Sequence, residues 1–126
     1  MNGQAPKGGM TNQTKRHGAQ SFVALDVALE VIRSLRGVVA VIRTRDGKLA
    51  QQIVASASSI VANVAEGNRR VGRDRLFLFR VAAGSAAETQ AHLQVALAWD
   101  WIAADDAERS FKLLDRELGL LWGLTH

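Results

Sequence analysis

At 126 residues and 48% hydrophobic content, the chain is long enough for one domain with a core of its own. It has no cysteine, which excludes disulfides, thiolate metal sites and cysteine nucleophiles, and no run of 18 apolar residues that would span a membrane. The net charge of +4 is unevenly placed: 13 Lys or Arg against 5 Asp or Glu in residues 1–80, then 3 against 7 in residues 81–126. Such asymmetry fits an anionic partner on the basic side or opposite-sign faces that meet in an assembly. The plainer alternative is that solvated helix faces need charge.

Residues 1–20 hold Gly, Asn, Gln, Thr and the only proline, Pro6, without periodicity. They predict a disordered N-terminal tail. The tail lacks the apolar segment of a secretory signal, so a cytoplasmic protein is expected. A first helix is predicted from Ser21 to about Arg43, with Phe22, Leu25, Leu29, Ile32, Leu35, Val39 and Ile42 along one face. Asp46-Gly47 signals a turn. A second helix then carries Leu49, Ile53, Ala57, Ile60 and Val64 and stops at Gly67.

Asn68 to Gly72 reads as a short basic loop. A third helix opens near Arg73 and runs about 28 residues, through Leu76, Phe79 or Arg80, Ala83, Ala87, Leu93 and Leu97 to Trp101. Asp105-Asp106-Ala107-Glu108 has capping-box spacing and starts a fourth helix, with Ala107, Phe111, Leu114, Leu118 and Leu121 as its stripe. No alternating segment suggests a strand. The expected fold is all-α, an antiparallel up-down-up-down four-helix bundle over residues 21–126. Phe77, Phe79 and the leucines fill its core.

Two stretches, SSIVANVAEGNRR at 58–70 and AGSAAETQAHL at 83–93, place small and polar residues where a bundle helix would carry Leu or Ile. Asn63, Glu66, Ser85 and Glu88 therefore predict a structural polar network joining helices two and three, since buried polar groups need partners. The competing reading is a carboxylate pair for acid–base work or an Mg²⁺ site.

The same residues carry a resemblance. Gln52, Ala57, Ser59-Ile60, Asn63-Val64-Ala65-Glu66-Gly67 and Arg70, with Phe77, Ala83-Gly84-Ser85, Glu88 and Leu93, resemble the four-helix-bundle proteins first noticed inside intervening sequences of large-subunit ribosomal RNA. The resemblance covers about residues 20–123. It implies a cytosolic bundle without known enzymatic activity that assembles as a homopentamer. It extends to the accessory proteins of diversity-generating retroelements, which implies nucleic acid or a reverse-transcriptase-like protein as partner.

Arg69, Arg70, Arg73 and Arg75 form the candidate nucleic-acid-binding loop, because guanidinium forks suit phosphate oxygens. Against this stand the solvated-face reading and the lack of exposed aromatics interleaved with the arginines. Trp99 and Trp101, two apart on a helix, cannot face one core. With Trp122 they predict a subunit interface, a small-molecule pocket being the alternative.

His17, His92 and His126 lack metal-ligand spacing, the Gly67–Gly72 spacing lacks the Lys-Ser/Thr of a phosphate loop, and Ser85 lies within a helix rather than on a nucleophile turn. No catalytic residue, metal or cofactor is assigned. The expectation is a non-enzymatic oligomeric binding or scaffold protein. Its partner is nucleic acid or a nucleoprotein complex. The alternative is a ring whose charges serve subunit contacts and whose partner is another protein.

Overall fold

The computed structural model describes residues 12–126, and the side chains from Ala19 onward. It consists of α1 (Asn12–Arg43), α2 (Gly47–Gly67), α3 (Gly72–Ala98) and α4 (Ala104–Thr125), with no strand among the described residues. Each helix packs on two neighbours, in the order α1, α2, α3, α4 around the bundle. The pairing is antiparallel: Ser56 meets Thr89 while Ser59, one turn on, meets Ser85, one turn back. The up-down-up-down bundle expected from the sequence is present.

α1 begins nine residues before the predicted Ser21. Once a helix is nucleated each further residue adds one hydrogen bond, and no proline interrupts residues 12–20. Of the expected tail, residues 1–11 lie outside the described residues. Ser21 is buried inside the helix and is not its cap.

The predicted face of α1 is also rotated in its first half. Ala24, Val27, Ala28 and Val31 line the core together with Leu35, Val39 and Ile42, whereas Leu25, Leu29 and Ile32 are half-buried and Phe22 is exposed. Small side chains there let α1 approach its neighbours closely.

α2 keeps its predicted stripe: Leu49, Ile53, Ala57, Ile60 and Val64 are all buried. Asp46 caps it by accepting from the amides of Lys48 and Leu49 at 2.9 and 3.1 Å. Its last residue, Gly67, is required by packing rather than by a left-handed turn. A Cβ there would stand 2.5 Å from Cε1 of Phe79, which is fully buried.

α3 ends at Ala98, three residues earlier than expected, in a Schellman motif. The Trp101 amide donates to the Ala96 carbonyl at 3.0 Å and the Asp100 amide to Leu97 at 2.9 Å. Asp100 holds the left-handed position with φ 58°, where glycine is usual. Asp100→Gly is expected to raise stability by a few tenths to about 1 kcal/mol. Urea denaturation would check it, and a loss of more than that would mean that the Asp100 side chain makes contacts of its own.

α4 starts one residue before Asp105. The expected Asp105–Glu108 capping box is replaced by one set two residues earlier: the cap is Ala103, whose amide donates to the Asp106 carboxylate at 3.0 Å, the one half of a box that an alanine cap allows. Ala107, Leu114 and Leu121 are buried as predicted, and Phe111 and Leu118 are half-buried. Glu117, one position before Leu118, is fully buried.

Candidate nucleic-acid interface

The α2–α3 connection forms one end of the bundle. The start of α1 and the end of α4 share that end, since the Asn68 amide reaches the Ser21 carbonyl and Gly123 of α4 lies beside Gln20 of α1. The four candidate arginines all sit here, but they do different things. Arg75 donates to the Gly67 carbonyl at 3.1 Å and lies over the Phe79 ring, 4.7 Å from its centre. Burial pulls its guanidinium below the ordinary arginine value. Arg75 thus latches the end of α2 onto α3.

Arg70 is spent on Glu66, one turn earlier, with Nη2 at 2.6 Å and Nε at 2.7 Å from Oε2. Arg69 and Arg73 are exposed and have no acidic partner among the described residues. Arg80 shares this freedom. It lies seven residues after Arg73, and Phe77 stands between them on the same face of α3.

Phe77 corrects the sequence reading twice. It is 64% exposed rather than in the core. It also supplies an exposed aromatic between basic residues, Arg73 and Arg80, which the sequence reading does not expect. A shallow concavity of about 210 Å³ joins Phe77 to Arg70, Asp74 and Glu66. The signal was legible in helical spacing: Phe79 and Phe77, two apart, cannot both face inward.

The predicted polar network is half there. Asn63 Nδ2 donates to the Ser59 carbonyl and hydroxyl at 2.8 and 3.0 Å, and the Ser59 and Ser85 hydroxyls are 2.8 Å apart. One turn along, the Ser56 and Thr89 hydroxyls are 2.7 Å apart, and Thr89 donates to the Ser85 carbonyl. Every hydroxyl of this ladder is partnered. Glu66 and Glu88 stand outside it, on the surface: Glu66 pairs with Arg70, and Glu88 meets His92 Nε2 at 3.1 Å. Ser56, Ser59 and Thr89 take their places. Among the described residues no group of three or more His, Asp or Glu converges as a metal site.

The tryptophans divide between the two ends. Trp122 is exposed at the α2–α3 end and stacks on His126, ring centres 4.4 Å apart. Trp99 and Trp101 sit at the opposite end. Because the helix ends at Ala98 and Asp100 turns left-handed, the two rings do not diverge as they would on a helix. They stack, 5.8 Å apart and 14° from parallel. Trp101 packs partly on the core, and Trp99 is 66% exposed.

The fold and its polar ladder define a class, a small antiparallel four-helix bundle with α2 and α3 joined through hydroxyls and small residues. More particularly, the chain belongs to the 23S rRNA-intervening sequence protein family, which it matches over residues 23–123. The solved structure of a protein of unknown function from the S23 ribosomal protein family of Bacteroides thetaiotaomicron is similar in fold. Its TM-score is 0.75 at 22% identity, over 84% of this chain and 97% of that one. No curated protein matches the chain. No helix among the described residues is long and apolar enough to cross a membrane.

Proposed function

We propose that the protein is a non-enzymatic, self-associating binding module of the cytoplasm that holds nucleic acid at the α2–α3 end of its bundle. The carrying observation is the exposed row Arg73, Phe77, Arg80 on α3, with Arg69 beside it and none of the three arginines paired to an acid. Guanidinium groups attract phosphates, and an exposed aromatic between them offers a face on which an unpaired base can stack. This combination suits a single strand better than a duplex, whose bases are already stacked. Glu66 and Glu88, the residues that acid–base chemistry would need, spend their carboxylates on Arg70 and His92.

The test is a salt titration of binding to random single- and double-stranded RNA and DNA. Arg69→Gln, Arg73→Gln and Arg80→Gln together are expected to reduce the slope of log K against log salt by about 2, at roughly 0.7 per phosphate contact on a single strand. Arg70 is left in place because Glu66 already occupies it, and Arg75 because it latches α2 onto α3. Phe77→Ala is expected to weaken single-strand binding by about 1–3 kcal/mol and to leave duplex binding unchanged. Absence of binding at low salt would overturn the proposal.

Self-association is the other half of this reading, and five subunits is the number that the family resemblance implies. Two observations support it: the exposed Trp99, and an α2 without a single charged residue between Lys48 and Glu66.

A further inference from the structure

The bundle faces water unevenly. On α4 the exposed positions include Asp105, Asp106, Glu108, Arg109, Lys112, Asp115 and Arg116, an ordinary solvated face. On α2, beyond the exposed Lys48 of its first turn and before Glu66, they are Gln51, Gln52, Val54, Ala55, Ser58 and Ala62. An exposed helix face without charge is the mark of a surface that a partner covers.

Beside that face lies a groove of about 280 Å³ between α1 and α2. Its walls include Ile32, Val39, Ile53 and Val54, and its rim carries Arg36 and Arg43, two helical turns apart. Both arginines are exposed, and neither has an acidic partner among the described residues. The occupant must therefore be apolar in its centre and acidic at its edge.

This chain carries such a surface itself. At the α3–α4 connection the exposed Trp99 ring stands on Trp101, with Asp100 and Asp105 close by in sequence and likewise without a cationic partner. No Lys or Arg occurs between Arg80 and Arg109. In the cyclic helix order the α1/α2 seam and the α3–α4 connection lie on opposite sides of the bundle. Both belong to the same end, where α1 and α3 finish and α2 and α4 begin.

We infer that the groove between α1 and α2 receives the Trp99 corner of a second copy of this chain, whose Asp100 and Asp105 face Arg36 and Arg43. This rests on the self-association proposed above and says which surfaces perform it. Two different patches meet, so the contact is head-to-tail, and with both at one end successive copies stand side by side, an arrangement that forms a ring where the rotation per subunit closes. The arrangement also gives a use to the charge asymmetry of the sequence, because the basic half of one subunit meets the acidic half of the next.

The experiment is the solution mass of the full chain by sedimentation velocity, for the wild type, for Trp99→Ala, and for Arg36→Glu with Arg43→Glu. All three substitutions are at exposed positions, so circular dichroism should show unchanged helicity. If the arginine pair proves to unfold the chain, Val54→Glu serves as the groove variant. The wild type is expected as one discrete oligomer and each variant as a monomer. Mixed in equal amounts, the two variants should give a 1:1 dimer and nothing larger, because the intact Trp99 of one fits the intact groove of the other. A monomeric wild type at 100-fold dilution steps up to about 100 μM, well above typical specific affinities, would overturn both self-association and this assignment. An oligomeric wild type whose variants keep its mass, or variants that stay monomeric on mixing, would overturn the assignment alone.

Discussion

Glu117→Gln is expected to flatten the dependence of folding stability on pH between about pH 5 and pH 8, and Glu117→Leu to raise stability at neutral pH. Glu117 is fully buried on α4, and neither of its carboxylate oxygens has a hydrogen-bond partner. It lies two turns beyond Ser110, whose hydroxyl is 2.8 Å from that of Ser34 on α1. Antiparallel pairing therefore sets it level with a stretch of α1 whose core residues are Ala24, Val27, Ala28 and Val31. Burial pushes its pKa up from 4.5 to about 8, against the smaller opposing pull of Arg116.

The folded state thus binds a proton that the unfolded state releases above pH 4.5, so stability declines as pH rises from there and levels off above pH 8. At about 1.4 kcal/mol per pH unit the total is on the order of 4–5 kcal/mol. Gln cannot ionise and removes that slope. Leu also removes the unpaired polar group, which costs about 1–3 kcal/mol by itself. Urea midpoints of wild type and both variants, measured from pH 5 to pH 9, would check this. Parallel curves for wild type and Glu117→Gln would mean that water or a partner reaches the carboxylate.

Glu117 also shows where the sequence was and was not legible. Helix number, the turns and the α2 stripe followed from periodicity, because a helix with one apolar face leaves a single choice. On α4 the choice lay between adjacent positions 117 and 118, and preference for the apolar Leu118 hid a buried acid. On α1 the same preference favoured Leu25, Leu29 and Ile32 over Ala24, Val27, Ala28 and Val31. Size is a poor guide to burial here: the smaller residues take the centre of the bundle, and Leu25, Leu29 and Ile32 stay half-buried, with Leu25 and Ile32 packed at the margin of the core. Of these three, Ile32 lines the groove between α1 and α2.

For the site, sequence placed the arginines on one loop but could not tell the free Arg69 and Arg73 from Arg70 and Arg75, whose partners depend on the turn between helices. The tryptophans are expected on a helix, but one left-handed residue, Asp100, ends it three residues early; Trp99 is nonetheless exposed and Trp101 half-buried. Aspartate tolerates that conformation better than most residues, but it signals it far more weakly than a glycine.

Gly67→Ala is the second large effect, and it is expected to destabilise the bundle by about 1–3 kcal/mol. The added methyl would meet Cε1, Cδ1 and Cζ of Phe79 at 2.5, 2.8 and 3.2 Å. The ring cannot swing away freely, since it is fully buried and the Arg75 guanidinium covers it while donating to the Gly67 carbonyl. Phe79→Ala alone should cost more, about 3–5 kcal/mol, through the cavity it leaves.

The informative variant is the double one. With the ring gone, the alanine at position 67 has space, so Gly67→Ala with Phe79→Ala should be less destabilising than the sum of the two by 1 kcal/mol or more. Additive losses would show that Gly67 matters for its backbone and not for the ring. Coupling would instead identify the glycine in the Asn-Val-Ala-Glu-Gly stretch as a seat for Phe79. The free Arg69 and Arg73 stand on the connection that this contact closes. On the proposed function, loosening it is expected to reduce nucleic-acid affinity as well as stability, although Gly67 and Phe79 lie outside the proposed contact row of Arg69, Arg73, Phe77 and Arg80.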